Sequence, residues 1–223
     1  MQLKHWMATA ATLATFTCAQ AQVVLSESFA NVPGLSSSGW AQTNNSVSPV
    51  ASPAWFQGNT TVFPALSGTA NAYAGVSFAG TNAASGGISS WLITPQLAFL
   101  NTSSVNFQVR TAGEGFLDTL EVRLSTSGSS SNVGATPTSL GDFSTLLGTY
   151  SSSTDAGWVT QTYNFSGVST GRIAFRFVVA DVATAGNYMG LDNVNITTVP
   201  EPATYALFAL GLAGMMLRRR LSN

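Results

Sequence analysis

The chain has 223 residues, with eight Lys and Arg against nine Asp and Glu, and only 8% of it is charged. That length can bury one sizeable core. Between Gln22 and Val199 there is no Cys, His or Lys, and four arginines face eight acids. This excludes disulfides, thiolate or imidazole catalysis and zinc sites with Cys or His ligands, and it leaves no basic footprint for nucleic acid.

The N-terminus has the layout of an export signal. Lys4 and His5 form a short basic region, Trp6 to Thr17 an apolar run, and Ala19-Gln20-Ala21 an A-x-A cleavage site. Residues 1–21 are therefore expected to be removed, leaving Gln22 as the mature start. Cys18 suggests lipidation, but Thr17 before it is a poor lipobox residue and the A-x-A site follows at once.

From Gln22 onward the pattern is alternation, with no helical period before Pro200. Val105, Phe107 and Val109 alternate with Asn106, Gln108 and Arg110. Leu120, Val122 and Leu124 alternate with Glu121 and Arg123, and Ile173, Phe175, Phe177 and Val179 stand against Arg172 and Arg176 on an expected wet face. A period of two over such lengths means antiparallel strands with one solvated face. Further strands are expected at 23–29, 70–78, 88–93, 158–165 and 188–196. Clusters such as Asn31-Val32-Pro33-Gly34 and Ala84-Ser85-Gly86-Gly87 supply the turns. The stretch 35–66 reads as long loops with short extended pieces. The fold class is all-β, a two-sheet antiparallel sandwich spanning 22–198 as one domain.

The C-terminal segment 199–223 differs in kind. Val199-Pro200-Glu201-Pro202 leads into an apolar run from Ala203 to Leu217, then Arg218-Arg219-Arg220. Proline is tolerated at a first helical turn, so a single apolar helix is expected after Pro202. The arginines would hold their end on the cytoplasmic side. At 1.5 Å per residue the run reaches about 22 Å, short of the roughly 30 Å hydrocarbon core, so it suits a temporary hold in the inner membrane. The order of these parts resembles the PEP-CTERM sorting signal of Gram-negative bacteria. That resemblance implies processing by a membrane transpeptidase-like exosortase and delivery to the cell surface or extracellular matrix. An ordinary tail anchor is the alternative.

The middle of the chain also resembles a family. Glu27-Ser28-Phe29, Pro33 to Trp40 and Ser90-Trp91-Leu92-Ile93-Thr94-Pro95 look like the opening motifs of the choice-of-anchor J domain. Arg172 to Phe177 and Tyr188-Met189-Gly190-Leu191-Asp192-Asn193-Val194 look like its later motifs. The family is related to cleaved-adhesin and MAM-type jelly rolls. The resemblance implies a jelly roll with a surface, adhesive or matrix role and no general enzymatic activity. In related jelly rolls the terminal strands share a structural calcium, which would place Glu27 and Asp192 as metal ligands. The alternative is that Asp192 and Asn193 form a bulge or turn bonded to backbone groups.

Two further groups could carry chemistry. Glu114, Asp118 and Glu121 could be imagined as a glycosidase pair, but Glu121 belongs to a strand's wet face and can pair with an arginine there, while Glu114 sits in a Gly-Glu-Gly turn. Trp40, Trp55 and Phe56 lie in the loop-rich stretch, where exposed aromatics would stack on sugar rings; otherwise they cap one end of the sandwich. Three functions remain open: a structural or adhesive surface protein, a carbohydrate-binding module for exopolysaccharide, and a polysaccharide-cleaving enzyme. The first would leave the chain without catalytic residues.

Overall fold

The computed structural model describes residues 20–100, 102–199, 211, 214 and 215. Residues 1–19 of the leader, Pro200, Glu201 and Pro202, nearly all of the expected apolar helix, and Arg218, Arg219 and Arg220 lie outside the described residues. Among the described residues no helix is long and apolar enough to cross a membrane.

Among the described residues, twelve strands build two antiparallel sheets. They are β1 (Gln22–Glu27), β2 (Ala41–Asn44), β3 (Phe56–Gln57), β4 (Ala74–Ser77), β5 (Ile88–Ile93) and β6 (Leu97–Ala98). The second half supplies β7 (Thr102–Thr111), β8 (Asp118–Ser125), β9 (Thr145–Ser152), β10 (Val159–Ser166), β11 (Thr170–Val179) and β12 (Tyr188–Val199). The first sheet runs β10-β7-β12-β4-β3, with β1 sharing one edge of β12 with β4. The second runs β2-β5-β11-β8-β9, with β6 sharing one edge of β11 with β5. The strands read from alternation all form. β9 was not legible, because Thr145-Leu146-Leu147-Gly148 does not alternate and the strand lies at a sheet edge with half of its residues exposed.

The core fills the space between the sheets, as the alternation requires. Val105, Phe107 and Val109 on β7 face Leu120, Val122, Phe175 and Phe177 from the other sheet, all fully buried. Phe107 meets Phe175 edge to face at 5.3 Å between ring centroids. On β12 the inward residues are Met189 and Leu191, then Val194 and Ile196. A spacing of three between Leu191 and Val194 breaks the period of two, and the chain absorbs it with a bulge. The register against β7 shifts between Asp192 and Asn195, and Asn193 takes the left-handed backbone at φ 47°.

The outer faces depart from the sequence expectation. Arg123 and Arg176 were expected on a wet face, yet they are 7% and 4% exposed. The physical reason is the long β8–β9 connection, which folds back over the second sheet. Its Val133 and Phe143 pack with Trp91, Ile93 and Ala174 as a second apolar cluster. Arg176 lies 5.0 Å from the Trp91 ring centre, donates from Nε to Ser89 Oγ at 3.0 Å and from Nη2 to the Pro137 carbonyl at 2.5 Å. Glu121 completes the network, accepting from Arg176 at 2.8 Å and from Arg123 at 2.7 Å. The pairing of Glu121 with arginine is thus seen, but under a loop instead of in water.

A third cluster joins Phe63, Tyr73 and Tyr188 with the half-buried Trp158. It needs Gly190. A Cβ there would stand 2.8 Å from Phe63 and 2.9 Å from Trp158 and Tyr73, so only glycine lets these rings lie on β12.

Candidate functional site: a groove between two edge strands

The last strands of the two sheets on one side, β2 and β3, leave a groove of about 820 Å³ between them. Its walls are the 3-10 turn Val32–Ser38, strand β2, the segment 50–55 and strand β3. Local chemistry fixes each wall. Asn31 caps the turn by accepting the Gly34 N–H at 3.2 Å, and Gly39 ends it at φ 84°. Gln57 then ties the turn to β3. Its Oε1 accepts the Val32 N–H at 2.9 Å, and its Nε2 donates to the Phe29 carbonyl at 2.9 Å and the Asn71 carbonyl at 2.5 Å. Gln42 on β2 holds the far wall by accepting the Trp55 N–H at 3.1 Å.

Trp40, Trp55 and Phe56 all line this groove. Their burial corrects the expectation of an open stacking platform. Trp40 is 4% exposed and Trp55 1%, both in the main core, while Phe56 is half-buried against Tyr188. Trp55 donates from Nε1 to the Ser90 carbonyl at 3.2 Å. Trp40 packs edge to face on Phe29 at 5.7 Å, and its Nε1–H has no hydrogen-bond partner. The two tryptophans form the floor of the groove and cap the core in the same act. Sequence position in a loop-rich stretch pointed to the residues, but it could not show that two sheet edges meet over them.

Glu27 and Asp192 come onto paired strands, with Glu27 opposite Val194 on β12. The donors around them do not fit a cation cage. Asp192 is fully buried and accepts the Leu66 N–H at 3.1 Å on one oxygen and the Asn193 N–H at 2.7 Å on the other. Burial pushes its carboxyl above the ordinary range, against the pull of the Asn193, Leu66 and Ser67 backbone donors. Glu27 accepts the Phe29 N–H at 2.8 Å. N–H groups put their positive ends where a cation would sit. Asp192 instead fastens the 58–72 loop to the β12 bulge, with Asn193 Nδ2 donating to Ser67 Oγ at 3.0 Å. Among the described residues no group of three or more Asp, Glu, His or Cys gathers as for a metal.

Of the acidic trio, Glu114 and Asp118 share Asn187 as a donor, and Glu121 stands apart with Arg123 and Arg176. Burial pushes the Glu121 carboxyl up, but its hydrogen bonds and charge contacts with Arg123 and Arg176 outweigh this and hold it below the usual range. Asp118 is fully buried; it accepts the Asn187 N–H at 2.7 Å on Oδ1, and Oδ2 has no partner. Desolvation by burial pushes its carboxyl up to about 6, opposed by the backbone donors of Asn187 and Tyr188. Glu114 sits at a turn with φ 59° and accepts from Asn187 Nδ2 at 3.1 Å. None of the three lines the groove.

Comparison with known proteins bears on both parts of the chain. Residues 198–220 match the PEP-CTERM protein-sorting motif, which marks the protein for export and for exosortase processing. No curated protein matches the sequence. Among solved structures, the K1 cleaved adhesin domain of Lys-gingipain from Porphyromonas gingivalis W83 is similar, with a TM-score of 0.56 at 19% identity over 78% of this chain and 98% of that one. The K3 domain of the same protein gives 0.53 at 19% identity, over 80% and 99% of the two chains. Its K2 domain gives 0.54 at 17%, over 77% and 96%. The chain is therefore a sandwich domain with the fold of the cleaved adhesin domains, followed by a PEP-CTERM sorting motif.

Proposed function

We propose that this is an exported, exosortase-sorted protein of the cell surface or extracellular matrix, whose sandwich has a structural or adhesive role and carries out no catalysis. In this reading residues 1–21 are the leader, 22–198 the functional domain and 199–223 the sorting signal. The apolar segment after Pro202 holds the chain in the inner membrane, with Arg218, Arg219 and Arg220 on the cytoplasmic side, until processing releases it outward. The observation that carries the proposal is the match to the sorting motif at 198–220, which begins on the last two residues of strand β12. The fold shared with cleaved adhesin domains supports an adhesive part for the sandwich.

The test is fractionation of cells making the full chain and the chain ended at Val199. The full chain should be retained at the surface or in the matrix, and the shortened one should appear folded in the medium. Equal distribution of the two would overturn the proposal. The reading as a binding module for exopolysaccharide is favoured by one observation, the groove floored by Trp40 and Trp55.

A further inference from the structure

The groove between β2 and β3 contains no charged residue among those that line it. In a chain with so few charges this alone would say little, but the polar residues that do line it, Asn44 and Gln57 among them, are all neutral hydroxyls and amides. Ser36, Thr43 and Ser52 supply hydroxyls, and Gln42 supplies an amide whose Oε1 is fixed on Trp55. Its Nε2 remains a donor on a side chain already held in place. Pro33, Pro53 and Phe56 add rigid apolar surface that loses little entropy when covered. Trp40 and Trp55 lie buried beneath and keep the groove floor apolar.

We infer that this groove binds a neutral oligosaccharide segment. A pyranose offers what the walls ask for, apolar C–H faces for the prolines and Phe56, and hydroxyls to pair with the Ser, Thr and Gln groups. The volume lies within the roughly 300–1,000 Å³ of small-molecule sites. A uronate or phosphate would enter without a cation to meet it, and its desolvation would go uncompensated. An extended peptide added to the sheet edge fits less well. β2 offers four residues and β3 two, and the 50–55 segment, pinned to Gln42 through Trp55, already occupies that side. The inference rests on the adhesive reading above and names the chemistry its site would hold.

The experiment uses the full chain, purified in a detergent without a sugar headgroup, and follows tryptophan fluorescence and binding heat. The probes are neutral gluco-, manno- and galacto-oligosaccharides of four to six units, oligouronates of the same length, and an extended uncharged peptide. A neutral oligosaccharide should bind, and the oligouronates and the peptide should not. Gln42→Glu keeps an oxygen for the Trp55 N–H and replaces the Nε2 donor, so binding should weaken at least about fivefold, as for one neutral hydrogen bond. Ala51→Trp fills the groove from an exposed position and should abolish binding while the melting temperature stays at the parent value. Absence of any neutral ligand, equal binding of uronates, binding of the peptide alone, or insensitivity to both substitutions would each overturn the inference. Surface retention of the Ala51→Trp chain is scored in the same strain. An Ala51→Trp chain that is retained without binding glycan is the expected result; a parent chain that is retained yet binds no neutral oligosaccharide sinks only the groove assignment, whereas lost retention of the parent chain sinks the sorting proposal.

Discussion

Asp118 shows how burial turns one carboxyl into a pH-dependent element of the fold. Its native pKa of about 6 lies above the ordinary value of 3.8. The folded state therefore holds a proton that the unfolded chain releases. The stabilisation is fully present below the unfolded pKa and is lost as pH rises through about 6. A shift of this size corresponds to roughly 3 kcal/mol. Glu121 and Asp155 have lowered values and act in the opposite sense, at lower pH. Urea unfolding of the parent and of Asp118→Asn between pH 4 and 8 isolates the effect, and the parent should lose about 2.5 kcal/mol relative to the variant over that window. Parallel curves would show that the carboxyl is solvated. Asp192 gives the complementary test. Backbone N–H donors compensate it without an ion, so melting temperatures in millimolar calcium and in chelator should coincide. A rise of several degrees in calcium that Asp192→Asn removes would restore Glu27 and Asp192 as metal ligands.

At the scale of the element, β11 shows what alternation can and cannot reveal. Ile173, Phe175, Phe177 and Val179 were legible as core because period two fixes which side chains share a face. The opposite face was misread for a physical reason. Arg and Glu look the same in sequence whether they meet water or a covering loop, and the β8–β9 connection that buries them has no alternation of its own. Arg176→Ala therefore removes the Glu121 pair, the Pro137 contact and the ring stack at once. It should cost about 3 kcal/mol in chemical denaturation, comparable to the roughly 3–5 kcal/mol expected for Phe175→Ala. A loss below about 0.5 kcal/mol would mean that the loop does not cover this face in solution. The groove was half legible. Trp40, Trp55 and Phe56 stood out as aromatics in a loop-rich stretch, but Gln42 and Gln57, which hold the walls, are ordinary amides until two distant strands are seen to share them.

For the whole molecule, the decisive relation is between the sandwich and the segment after it. β12 lies at the centre of the first sheet, paired with β7 on one edge and with β4 and β1 on the other, and its last residue Val199 pairs with Thr102. Ala21–Pro200 forms one compact unit. A cut at Pro200 removes no pair from this sheet, whereas a cut within β12 removes the partner of β1 and β7 together. The chain ended at Val199 should therefore keep a single sharp thermal transition within about 2 °C of the full chain. One ended at Val194 should lose several degrees, since Ile196 is fully buried and Thr198 accepts the Leu100 N–H at 2.6 Å while receiving the Ser103 hydroxyl at 3.0 Å. Differential scanning calorimetry of the three proteins decides the matter. If ending the chain at Val199 broadens or abolishes the transition, the sorting segment belongs to the fold, and release at that boundary could not deliver an intact domain.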